Sequence, residues 1–167
     1  MLKPFLQRRT ILTAAMLGVV AALAIPFAVA GSPHFIGTPT CTKNADFSLT
    51  CSGKAAGLGN SPTGAFLTST DVSGTIQCQN NGGNFPPPKR FDFGPLTGPT
   101  QQITVHNGQI TFSPTIGPPP LPTASDFCPS GKTWRVVVLS LTYEGVVLHI
   151  QQGGTDLLTF DFGTIDP

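Results

Sequence analysis

From residue 46 onward, hydrophobic and polar side chains alternate along most of the chain. In DFSLTCSGKAA, residues 46–56, Phe47, Leu49, Cys51 and Ala55 fall on one parity and Ser48, Thr50, Ser52 and Lys54 on the other. That is the period of a strand with one buried face, so Cys51 is expected to point inward with Phe47 and Leu49. AGLGNSPTG then reads as a loop, and alternation resumes over residues 66–78, with Phe66, Val72, Ile76 and Cys78 expected on one face. The sharpest local pattern is QQITVHNGQITFS, where Asn107-Gly108 supplies both positive-φ positions of a type I′ turn. Such a turn sets His106 opposite Gln109, Val105 opposite Ile110, Thr104 opposite Thr111 and Ile103 opposite Phe112, which places all four apolar residues on one face.

TWRVVVLSLTY carries apolar residues on both parities, as a central strand covered on both sides would. Glu144-Gly145 after it fits either a turn or a bulge in a continuing strand. VVLHI extends the pattern, QQGGTD turns, and LLTFDFG closes the chain as a last strand. Seven or eight short strands with no helix predict an all-β antiparallel β-sandwich of immunoglobulin-like architecture. A single domain is expected over residues 31–167. FDFG occurs at residues 91–94 and again at 160–163, but the flanks do not match over the ~20 to 50 residues of a structural repeat, so it reads as a coincidence between two strand ends.

The N-terminal segment changes the picture. Lys3, Arg8 and Arg9 precede an apolar run over residues 11–25 that closes in AVAG. This predicts a secretory signal peptide, residues 1–30, cut between Ala30 and Gly31. QRRTIL also resembles a twin-arginine export signal, with Gln7 where Ser or Thr usually stands. Without Lys3, Arg8 and Arg9 the chain holds six basic residues against eight acidic ones, a net charge of −2. Nothing in that balance attracts nucleic acid or an anionic membrane. All four cysteines lie in the exported part, where disulfides persist. Three connectivities are open, and Cys41–Cys51 with Cys78–Cys128 is favoured. No C-x-x-C pair suggests zinc.

Candidate chemistry is sparse. None of His34, His106 and His149 has a short metal-ligating spacing. His149, on a strand face with Val147, reads as a surface or satisfied histidine, and Ser61 in GLGNSPTG reads as a turn residue without a G-x-S-x-G elbow. Asp92 and Asp161, one in each FDFG, are the carboxylates that two pairing strand ends would bring together for hydrolysis; exposed aspartates between inward aromatics are the plainer reading. Trp134 and Tyr143 are expected in the core. The segment CQNNGGNFPPPKRF, residues 78–91, combines turn formers, a stiff polyproline stretch and a basic pair behind a cysteine. A loop stiffened and anchored before binding loses little entropy on contact, which makes Phe85, Lys89 and Arg90 the candidate binding residues; the alternative is a loop that only covers one end of the sandwich. A Cys78–Cys128 bridge would gather this loop and residues 117–132 at that end.

PHFI, GKAAGLGN, CQNNGGNFPPP, NGQIT, CPSGKTW and SLTY follow one another in an order that resembles a family of small secreted bacterial β proteins of no established function. The resemblance spans residues 33–143. It implies pairing of Cys78 with Cys128 and carries no catalytic residues. The expected protein is a secreted, non-enzymatic extracellular binding or structural module. No cofactor is expected, nor any nucleic-acid contact, nor membrane contact after signal removal; the partner would be an unknown extracellular ligand or a second copy of itself. The alternatives are a small extracellular hydrolase, which a cleft joining Asp92 or Asp161 to a histidine would favour, and a self-assembling envelope or matrix protein using an unpaired last strand.

Overall fold

The computed structural model describes residues 31–130 and 133–166. The expected signal segment, with its expected cut between Ala30 and Gly31, lies outside the described residues, as do residues 131–132 of the second proline-rich loop and Pro167. The strands are β1 (His34–Lys43), β2 (Leu49–Ala56), β3 (Thr63–Asn80), β4 (Lys89–Thr97), β5 (Gln101–Ile103), β6 (Ile110–Phe112), β7 (Thr115–Ile116), β8 (Trp134–Gln152) and β9 (Thr155–Ile165). One helical turn, α1 (Ala124–Phe127), interrupts the second proline-rich loop, where only strands and loops were expected.

These strands form two antiparallel sheets packed face to face, the expected sandwich. The smaller has the order β1-β2-β6, with β7 continuing beyond β6 along the same edge of β2. The larger has the order β4-β3-β8-β9, with β5 continuing beyond β4 along β3. Between the sheets lie Leu49, Cys51, Leu67, Val72, Phe112, Leu141, Tyr143, Leu148 and Ile150, all at most 1% exposed. Strand β1 has no counterpart in the alternation pattern. Its sequence HFIGTPTCTK holds Pro39, which an edge strand tolerates because one row of its N–H groups faces away from the ladder. Cys41 in β1 stands directly opposite Cys51 in β2 and is bridged to it, while Cys78 is bridged to Cys128. Both favoured disulfides are therefore present.

The two central strands are not short. β3 runs 18 residues and changes its inward parity once; β8 runs 19 and changes it twice. In β3, Ala65, Leu67 and Ser69 point inward, whereas beyond a break in register Val72, Ile76 and Cys78 do. Phe66 is consequently on the outer face, not with Val72 as expected. A bulge adds a residue to one strand and flips every later side chain, which a fixed two-residue period does not allow for. In β8 the chain runs through Glu144-Gly145 as a bulge, with Gly145 at φ +56°. A second irregularity places Leu139 outside the pairing with β3, half exposed to solvent.

The Asn107-Gly108 turn forms as expected, with φ +51° and +72° and reciprocal backbone bonds of 3.0 Å between His106 and Gln109. The expected ladder behind it does not form. Beyond that first pair the arms separate, β5 joining β3 in the larger sheet and β6 joining β2 in the smaller. Ile103, Val105, Ile110 and Phe112 still share the side that packs on the core. The turn is a corner between two sheets because each arm finds a longer strand to pair with than its short partner.

Candidate functional site

Asn80 ends β3 and organises the loop that follows. Its side-chain oxygen accepts the backbone N–H groups of Gly82 at 3.0 Å and Asn84 at 2.9 Å, and its carbonyl accepts that of Gly83. Gln77 donates from its amide to the Pro86 carbonyl at 2.9 Å, so the start of the proline run is tied to the strand below it. Phe85 sits between these two restraints with 54% of its surface exposed. Lys89 and Arg90 belong to β4, not to the loop: Lys89 Nζ lies 5.7 Å from the centroid of the Phe127 ring, and Arg90 donates to the Ser73 hydroxyl at 3.1 Å. Phe91 meets the same Phe127 ring edge to face at 5.9 Å. The Cys78–Cys128 bridge and these ring contacts gather the two proline-rich loops at one end of the sandwich. Of the three candidate binding residues, two have structural partners and Phe85 points free.

Trp134 is half buried at the start of β8 and lines a cleft of about 260 Å³ with Ser125 and Pro129, so it is not a core residue as expected. Tyr143 is one. It is fully buried, its hydroxyl donates to the Phe47 carbonyl at 2.6 Å, and burial followed by the nearby Asp46 charge pushes its pKa up to about 12.

The two FDFG aspartates are not brought together. Asp92 is on β4 and Asp161 on β9, at opposite edges of the larger sheet with β3 and β8 between them. Neither is joined to a histidine. Asp92 lies beside Asp71, and Glu144 stands opposite Asp71 across the β3–β8 ladder. Desolvation, then the hydrogen bond and repulsion from Asp92, hold the Asp71 carboxyl above its ordinary pKa. Among the described residues no group of three His, Cys, Asp or Glu is placed to hold a metal ion.

The histidine that does meet a carboxylate is His149, through Asp156. On the outer face of the larger sheet its Nδ1 is 3.0 Å from Asp156 Oδ2 and its Nε2 is 3.2 Å from Thr68 Oγ1, while the ring stacks on Phe66 at 4.7 Å with planes 6° apart. Desolvation raises the pKa of Asp156, but hydrogen bonds from His149 and Gln151 outweigh it and leave the carboxyl below its ordinary value. All four residues come from neighbouring strands β3, β8 and β9. Sequence reasoning missed the group because Phe66 was assigned to the inner face; with the parity change in β3 allowed for, Phe66 and Thr68 fall on the outer face beside His149. No protein-family model and no curated protein matches the chain.

Proposed function

We propose that the protein is an exported, disulfide-held binding module that contacts an extracellular partner through the loop end carrying Phe85. One observation carries the reading: an aromatic side chain more exposed than any other large hydrophobic described, on a loop whose backbone is already restrained. Exposing Phe85 to water is unfavourable by roughly 1.5–3 kcal/mol relative to burying it, and a restrained loop loses little further freedom when a partner covers it. The two disulfides fit an oxidising compartment, and export implies a mature N-terminus at Gly31.

The test is retention of the purified mature protein on insoluble cell-wall preparations and extracellular polysaccharides. Phe85→Ala is expected to keep the wild-type melting temperature, within the ~0.5 kcal/mol usual for exposed sites, and to lose retention. Retention equal to wild type would remove Phe85 from the contact. N-terminal sequencing of the protein from culture medium checks the export half independently.

Hydrolysis is the second reading, favoured by one observation, the hydroxyl–imidazole–carboxylate order of Thr68, His149 and Asp156. It ranks lower because Thr68 is in mid-strand, paired with Thr97 on one side and Val147 on the other. Its backbone is committed to those ladders, which leaves no evident pair of free N–H groups for an oxyanion. Turnover of p-nitrophenyl acetate abolished by Thr68→Val would establish it.

A further inference from the structure

The corner at residues 101–113 leaves an opening that the loop-end reading does not use. β5 pairs with β3 alone and β6 with β2 alone, so no ladder joins their facing edges. One end of the gap is closed by the His106–Gln109 bridge, and the other is crossed by the Ser113 N–H donating to Gln101 Oε1 at 2.8 Å. Between these ends lies a slit of about 520 Å³, within the ~300–1,000 Å³ typical of small-molecule sites.

The lining residues differ in exposure. Ile110 is buried in the core and Ile103 is half-buried against it; Lys54, Gln102, Thr104, His106, Gln109 and Thr111 are all exposed. The lining thus holds amides and hydroxyls able both to donate and to accept, one permanent cation, and no carboxylate. We propose that this slit binds an acidic saccharide, a short chain of sugar rings bearing carboxylates. The accessible part of Ile103 suits the C–H face of a ring, and Gln102, Gln109, Thr104 and Thr111 match hydroxyls of either polarity. Lys54 supplies a charge-assisted bond to the sugar carboxylate. A lining without acidic residues sets nothing against that charge.

Isothermal titration of the mature protein with a short oligogalacturonate, beside a neutral cello-oligosaccharide, tests this. Oligogalacturonate is expected to bind in preference to the neutral chain, and more weakly as salt is raised. Lys54→Gln should weaken binding about tenfold, the size of one charge-assisted bond; Lys54→Arg should restore most of it, and Phe85→Ala should leave it unchanged. Lys54 is exposed, so circular dichroism of each variant is expected to match wild type. No binding of oligogalacturonate at millimolar concentration overturns the proposal, as does equal or tighter binding of the neutral chain. Undiminished binding by folded Lys54→Gln also overturns it, since the ligand would then sit elsewhere.

Discussion

The larger sheet contains the same hairpin edge twice. β4 joins β3 and β9 joins β8 through one register: Leu96 opposite Ser69, Gly94 opposite Val72 and Asp92 opposite Ser73 in the first, Ile165 opposite Tyr143, Gly163 opposite Val146 and Asp161 opposite Val147 in the second. The irregularities fall at equivalent places, with Phe93 and Phe162 as the extra residues. Gly94 and Gly163 have φ +73° and +68°, and each donates its N–H to the aspartate two residues earlier, at 3.0 and 2.7 Å. The phenylalanine pairs match too, with centroids 4.9 and 4.8 Å apart and planes at 58° and 57°. FDFG is therefore a recurring edge-strand bulge and not the coincidence its flanks suggest. Bulges at both outer edges interrupt the straight ladder that strand addition by another copy would need.

What differs is everything attached to that shared backbone. The first hairpin closes through a long proline loop held by Cys78–Cys128; the second closes in the tight Gly153-Gly154 turn, both glycines at positive φ. Asp92 lies beside the Asp71 carboxyl, whereas the second hairpin carries the His149–Asp156 pair. Phe91 meets Phe127 of α1, but Phe160 meets Phe35 of β1 and so ties the larger sheet to the smaller. Backbone geometry follows from four residues; the role of each edge follows from its neighbours.

The largest test of this contrast removes the staple. Replacing Cys78 and Cys128 together with Ser should cost about 4 kcal/mol on chain-entropy grounds, against about 3 for Cys41 and Cys51, because the first bridge closes the longer loop. Urea denaturation measures both, and a reversed order would show that the proline loop does not depend on its bridge.

Buried hydroxyls at matching positions come next. Ser69 Oγ lies 2.8 Å from both the Asp71 and the Glu144 carbonyls and shares its one proton between them, and Tyr143 donates to the Phe47 carbonyl. Ser69→Ala and Tyr143→Phe should each cost roughly 1–3 kcal/mol by leaving carbonyls unpaired. The tyrosine adds a pH signature. Its phenol ionises near pH 10 in the unfolded chain and only near about 12 in the folded one, so the unfolded state binds fewer protons between those values. Wild-type stability should fall across that window relative to Tyr143→Phe; parallel curves would mean that the hydroxyl is not held as described.

Gly94→Ala and Gly163→Ala should each cost about 1 kcal/mol through the left-handed backbone alone, since nothing lies within 4 Å of an added Cβ at either site. Equal losses sharpen the equivalence of the two bulges, and a clear inequality breaks it. The smallest effects should differ in sign. Asp71→Asn should stabilise the protein at neutral pH, because its raised carboxyl pKa makes the charged form unfavourable, and the gain should fade as pH falls through that pKa. Asp156→Asn should destabilise it, the deficit present above the ordinary carboxylate pKa and lost as pH falls through the lowered one. Chemical denaturation at stepped pH distinguishes them.

Pattern and punctuation alone determined that this chain is an all-β sandwich, that Leu49, Cys51 and Ala55 face inward, that Asn107-Gly108 turns, and that Tyr143 lies in the core. Each follows from forces within a few residues: a two-residue side-chain period, or a backbone angle that few residue types accept. Only the tertiary structure decided where β3 and β8 change parity, that β5 and β6 part to different sheets and open a slit, and that Phe66, Thr68 and Asp156 surround His149. Those outcomes depend on which distant strand each segment pairs with. A bulge reverses the faces of all that follows, and the residues that fix its position sit on another strand, from 14 residues away (Val147 and Asp161) to 73 (Asp71 and Glu144).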